Sequence, residues 1–425
     1  MQKAAVRPMA QSRTGAMRSL RAVMAVVFAM LVAGLAVVLN KLDLTAVDTL
    51  DKHVGDWRIA LGSPRAAAQR RDIAIVIITE ETLLDYESRS PIDRALLAEL
   101  IRAIDLAKPK AIGLDFIFDR RTRHDARLLA ALREAKAPVV LGNIDERVTS
   151  IAPESLAIQA DFLKSAGRPN GHLMLARKEG RLAGNDSVIR SIAAPYAAPA
   201  GAGAADSTVG GTRGMADAPA AGSPAAFVDV LAAAAGVTPK PDVRLIAWQR
   251  QPDERTPLFL TLSVPRHSED AVKPALEGLF LPSWREFLKD RIVLIGAAMI
   301  DRDQHTTPLS VIDPSGIPGI LIHAQALAQR IDGNRDIGTL PDWIVSLVAG
   351  FVALSCFVAA RRTGVKPNSF AYGFIGLVLI GATSFVAFSI YRIDFPSVAL
   401  TIAWALGGFG GFVSGWIFPR FGPDE

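Results

Sequence analysis

Six side chains with proton- and metal-binding chemistry stand beside short apolar runs: Asp115 and Asp119, then Asp301, Asp303 and His305, then His323. Asp115 and Asp119 close KAIGLDFIF (110–118), which reads as a strand. Asp301, Asp303 and His305 follow a second such run, RIVLIGA (291–297), and His323 opens a helical stretch. Open parallel sheets bind ligands beyond the carboxyl ends of their strands, so neighbouring strands here would bring the six to one rim. Carboxylate and imidazole together can hold a divalent cation. Aspartates also cap helices and histidines bond within turns, the commonest use of such residues. A third use is an organic or anionic ligand, with Arg94 or Arg190 as its counter-charge. No nucleophile–base pair stands at a diagnostic spacing, and GxSxG, HExxH and CxxC are all missing. The eight residues are therefore candidates for ligand binding, with no catalytic role, metal or cofactor expected. Gly296 lacks the second and third glycines of a dinucleotide fingerprint, so a tight bend after the strand is its expected use.

The elements that must position these residues alternate. DIAIVIIT (72–79) is a β-branched run short enough for a buried strand. PIDRALLAELIRAIDLA (91–107) follows with apolar residues at helical spacing and Pro91 at its start. Next come the strand at 110–118, a helix at 126–136 and a strand at 138–142. SVIRSI (187–192), PLFLTLSV (257–264) and RIVLIGA (291–297) are further strands, and HAQALAQRI (323–331) is a final helix. This order predicts an α/β domain, mostly parallel sheet with crossover helices. Residues 193–226 interrupt it: 24 of the 34 are Ala, Gly or Pro, with no apolar period, which reads as a flexible surface insertion.

Composition says what surrounds that domain. The chain has 425 residues, half of them hydrophobic, one cysteine (Cys356) and a mean hydropathy of +0.27. A disulfide scaffold and wholesale disorder are excluded. Four stretches, 22–39, 343–360, 370–390 and 395–418, carry the apolar excess and hold no charged residue; Arg392 and Asp394 lie in the turn before the last. About 20 apolar residues cross a bilayer, so four transmembrane helices are expected. With no charged residue inside a span, an ion-coupled transporter is not. The last span holds Gly407, Gly411 and Gly415 in two overlapping GxxxG patterns, a face for close helix packing.

The net charge of +5 sits beside the spans. Residues 1–21 hold Lys3, Arg7, Arg13, Arg18 and Arg21 and no acid, whereas 40–342 are slightly acidic overall. A nucleic-acid partner loses its support; the lipid bilayer takes its place. Positive-inside reading puts 1–21, the loop with Arg361, Arg362 and Lys366, and the tail 419–425 in the cytoplasm. Residues 40–342 are then extracytoplasmic and 343–418 form a three-helix bundle. Residues 40–56, with Leu42, Leu44, Val47, Leu50 and Val54 roughly on one face, read as a helix packing on the exported domain. A signal-carrying helix of a homodimer is the alternative.

Several segments, in order, resemble the CHASE domain, type 2, an extracytoplasmic sensory family of bacterial receptors. They are IAIVIITEETLLDY (73–86), PKAIGLDFIFD (109–119), NGHLML (170–175), NDSVIRSI (185–192), DRIVLIGA (290–297), DQHTTPLS (303–310) and IPGILIHAQAL (317–327). The resemblance covers about residues 20–418 and implies one span, a sensor and three spans in a bacterial inner membrane. The chain departs from the pattern at SRSPIDR (88–94) and at Ser187, where the family has glycine nearby. It also shows no cyclase, kinase or P-loop signature. The resemblance implies a receptor subunit signalling to a separately encoded effector. The competing expectation is a non-sensing subunit that assembles a membrane or envelope complex.

Overall fold

The computed structural model describes residues 23–38, 45–87, 89–144, 151–177, 188–193, 225–238, 243–266, 282–299, 303–333, 335–363 and 367–417. The chain divides into two compact units. One comprises Ser63–Lys178 and Asn185–Ile337, and the other gathers the N-terminal residues to Gly62 with those from Gly338 onward.

The second of these units holds the apolar helices. Helix α1 (Val23–Val38) has 16 described residues, about 24 Å of helix. Helix α2 spans Thr45–Gly62. In the other unit, β1 (Arg70–Thr79) is buried along most of its length, as a β-branched run flanked on both sides must be. Helix α3 (Arg94–Asp105) starts at Arg94, three residues later than expected, because the Asp93 side chain accepts from the Ala95 and Leu96 amides at 2.7 and 3.0 Å. The chain continues through β2 (Ala111–Asp115), α4 (Asp125–Glu134), β3 (Val139–Asn143), α5 (Pro153–Ala166) and β4 (Asn170–His172). A two-stranded antiparallel ribbon of β5 (Leu175–Arg177) and β6 (Ile189–Ile192) comes next. Then follow α6 (Phe227–Ala234), β7 (Phe259–Ser263), α7 (Pro282–Leu288), β8 (Ile292–Ala298), β9 (Gln304–His305), β10 (Ile317–Pro318) and α8 (Gly319–Asp332).

Six strands form one wholly parallel sheet in the order β4-β3-β2-β8-β1-β7. The last strand to form in sequence, β8, enters the centre between β1 and β2. Alternation sorts the side chains to two faces. Ala74, Val76, Ile112, Leu114, Val293 and Ile295 turn to one side and pack with α3, α4 and α5. On the other side the helices come close enough that a Cβ at Gly113 would strike Phe227 and Leu231 of α6, and one at Gly296 would strike Ile320 of α8. Gly296 therefore serves close helix approach within β8, not the bend expected of it. Helix α6 was not anticipated, and α8 begins four residues before the expected 323. Of the Ala/Gly/Pro-rich stretch, 194–224 lie outside the described residues. Its end is packed, with the His172 amide donating to the Ala225 carbonyl at 3.0 Å.

The remaining elements are β11 (Gly338–Thr339), α9 (Asp342–Thr363), α10 (Pro367–Tyr391), β12 (Ile393–Asp394) and α11 (Ser397–Ile417). Three helices, α9, α10 and α11, are long and apolar enough to cross a membrane. Helix α2 belongs to the same compact unit as these helices. Its charged residues turn inward: Arg58 donates to Ser384 Oγ and to the Phe395 carbonyl, and pairs with Asp394. Of the expected stripe, Leu42 and Leu44 lie outside the described residues, while Leu50 and Val54 are exposed, as are Trp57 and Leu61 further along the helix.

Candidate functional site

The rim of the sheet has a switch point. After β2 the chain leaves for α4 on one face, and after β8 for α8 on the other, the arrangement at which open α/β sheets place a ligand site. Asp115, the last residue of β2, stands beside Gly296 of β8. Since Gly113 faces α6, Asp115 shares that side, and His323 of α8 meets it with Nε2 3.9 Å from Asp115 Oδ1. The short β9–β10 pairing brings Asp303 and His305 over the start of α8, with His305 Nε2 3.6 Å from Asp303 Oδ1. A Cβ at Gly319 would sit 3.1 Å from Asp303 and 3.4 Å from His305, so glycine there lets the segment lie on the helix.

Burial decides the protonation of the pair. The Asp115 carboxyl is pushed up to about 8, first by loss of solvent and then by the charge of Asp303. The His323 imidazole, only 3% exposed, is pushed down to about 3 by burial, with His172 and His305 adding to the effect. Near neutral pH both are uncharged, so the 3.9 Å contact is not an ion pair. His323 also meets the ring of Phe227 edge-on at 5.6 Å, and its Nδ1 has no hydrogen-bond partner among the described residues. The arrangement can hold or release one proton at Asp115 and couples that proton to the charge of Asp303. Among the described residues no group of three or more His, Cys, Asp or Glu side chains is arranged to hold a metal ion.

The eight candidates separate. Asp115, Asp303, His305 and His323 come together. Arg94 lies in the core of the opposite face, 1% exposed, with its guanidinium 4.6 Å from the Phe118 ring and 3.7 Å from Asp125. Burial lowers its pKa, while Asp125, Asp119 and Asp93 favour its charge, so Asp119 belongs to this structural cluster. Arg190 is on β6, where it donates to the Val188 carbonyl; the neighbouring Ile189 amide donates to Thr306, so this ribbon borders the rim segment. Asp301 lies outside the described residues. His172, fully buried at the end of β4, was missed: a three-residue strand has no period to read.

In the apolar unit, Cβ atoms at Gly407 and Gly411 would strike the carbonyls of Ala353 and Phe357 of α9, so these glycines let α11 and α9 touch backbone to backbone. Gly415 has open space around it.

Comparison with protein families finds the CHASE2 domain over residues 22–360. Neither curated proteins nor solved structures gave a match. The matched stretch is about four-fifths of the chain and takes in the parallel sheet, both clusters and most of α9. The chain belongs to the CHASE2 domain family, a family of extracellular sensory domains.

Proposed function

We propose that the chain is a receptor subunit of a bacterial inner membrane that detects an extracytoplasmic signal and passes it to a separately encoded cytoplasmic effector. The observation that carries this reading is the continuity of the family match from the sheet domain into the first of three long apolar helices. A sensory fold and a membrane bundle in one chain are the two parts a transmembrane relay requires. The cations of residues 1–21 and the Arg361–Arg362 pair support cytoplasmic ends for the helices they flank, with residues 40–342 outside. The signal must bind one arrangement of the domain better than another, because a ligand indifferent to both shifts nothing.

Affinity purification from native membranes in mild detergent, followed by cross-linking mass spectrometry, tests the relay. Cross-links from Lys366 to a cyclase, kinase or other effector are expected. Stoichiometric envelope or membrane partners with no cytoplasmic effector would instead identify a subunit that assembles a complex.

A further inference from the structure

All strands of the parallel sheet start at one end, opposite the rim. The connections leading into β2 and β8 adjoin there. The Lys110 amide donates to the Arg291 carbonyl at 2.8 Å, and the Asp290 amide to the Lys108 carbonyl at 3.2 Å. Each connection exposes one large apolar side chain. Leu106, which follows α3, is 65% exposed, and Phe287 of α7 is 47% exposed. Apolar residues scattered singly over a surface need no explanation. These two stand in adjoining turns among cations.

Residues 106–110 and 285–291 hold Lys108, Lys110, Arg285, Lys289 and Arg291 against two acids, Glu286 and Asp290. No side-chain hydrogen bond or ion pair joins Lys108, Lys110 or Lys289 to a described residue. Arg291 is crowded as well. Burial and then the charge of Arg71, the second residue of β1, hold its pKa down, with Asp72 opposing them. Cations that close a helix answer its dipole. Lys110, Arg291 and Arg71 instead stand at the starts of three neighbouring strands, β2, β8 and β1.

Both links to the apolar unit leave from this end. Arg70, the first residue of β1, follows the link from Gly62, and Asp332, the last of α8, precedes the link to Gly338. The Arg70 guanidinium donates to both carboxylate oxygens of Asp332 at 2.8 Å, which keeps the two links side by side. Fully extended, the links span at most about 30 and 22 Å. A bilayer that takes up the apolar helices is thereby held at high local concentration for this end.

We propose that this edge docks on anionic phospholipid headgroups, with Leu106 and Phe287 entering the bilayer surface and Lys108, Lys110 and Lys289 meeting the phosphates. Cations around a few exposed apolar side chains hold proteins at an anionic membrane surface. A dissolved polyanion suits the lysines but leaves both apolar side chains in water. An apolar protein surface covers those side chains and leaves the lysines unmatched. The proposal goes beyond the relay reading and does not depend on it. Lipid contact is read without an effector, and on discs whose two faces are alike.

The test uses the full chain with Cys356→Ser and Leu106→Cys, labelled at the introduced thiol with an environment-sensitive fluorophore. It is placed in nanodiscs of phosphatidylcholine alone or mixed with phosphatidylglycerol. Quenching by lipid spin-labelled near its headgroup should be about twofold or more stronger in the mixed discs. Lys110→Glu combined with Lys289→Glu should remove that excess, since both side chains are exposed. Should this variant melt early, salt decides on the labelled parent. The excess should vanish near 1 M salt, where screening acts within about 3 Å. Equal quenching in both discs, or an excess that survives charge reversal and salt, would overturn the proposal. So would a label untouched by the lipid quencher; its shielding from dissolved acrylamide would then show that protein, a second copy included, covers the edge.

Discussion

Asp115 carries a proton that a carboxyl in water would have lost, and the consequence is measurable as stability. In the unfolded chain the group titrates at 3.8, in the folded domain at about 8. Between those values the folded state binds more protons, so Asp115 makes the domain less stable as pH rises through that window. His323 acts in the opposite sense: its folded value of about 3 lies below the unfolded 6.5, so stability falls as pH drops between them. Asp115→Asn removes the first effect alone. The melting temperature of this variant, relative to the parent, should therefore be higher at pH 8 than at pH 5, by scanning fluorimetry of the full chain. An equal offset at both pH values would show that Asp115 is ionised in the fold. Arg94 makes a different prediction, because it is a structural cation between Phe118, Phe162 and Asp125. Arg94→Ala should cost about 3 kcal/mol in a urea titration and leave the pH profile of Asp115 in place. The two clusters were not separable in the sequence. Asp115 and Asp119 both follow one strand, but Asp115 keeps the parity of Gly113 while Asp119 contributes to the field at Arg94 on the far face.

Strands were legible where β-branched residues run together, as in β1 and β8, because burial on both faces demands such a run. Elements held by tertiary contact were not. Helix α6 is eight residues of FVDVLAAA beside an Ala/Gly/Pro-rich stretch, and it is fixed from outside by an ion pair: Arg330 Nε of α8 lies 2.6 Å from Asp229 Oδ1, both nearly inaccessible. Burial pushes the Asp229 carboxyl up, and Arg330 draws it back. Removing only one partner strands a buried charge, so Arg330→Ala should destabilise the domain by about 3–5 kcal/mol in the same titration. Pairing Asp229→Leu with Arg330→Met should recover most of that loss, which a purely steric role for Arg330 would not predict. Helix α2 shows a second limit of pattern reading. Its apolar stripe was legible, but the side it faces depends on the solvent, and a stripe that turns to the core in water turns outward beside membrane helices. Leu50 and Trp57 are more than half exposed while Lys52, Asp56 and Arg58 are buried.

At the scale of the molecule, the reading rests on which side of the bilayer each loop occupies, and charge alone suggests the answer. Helices α9, α10 and α11 have 22, 25 and 21 residues, each about 30 Å or longer, so successive loops must alternate sides. Arg361 and Arg362 end α9, and Arg361 donates to the Ser414 carbonyl near the end of α11, so the cytoplasmic assignment of either helix end fixes the other. The opposite ends of α10 and α11 meet at the turn where Asp394 receives Arg58. A single cysteine decides the orientation. With Cys356 replaced by serine, Ser315→Cys, in an exposed loop of the sheet domain, should react with a membrane-impermeant maleimide in intact spheroplasts. Arg362→Cys should react only after the membrane is opened. The reverse pattern would put the sheet domain in the cytoplasm, where an extracytoplasmic signal could not reach it. Labelling of both sites in intact spheroplasts would mean that α9 does not cross, and the relay would lose its first helix.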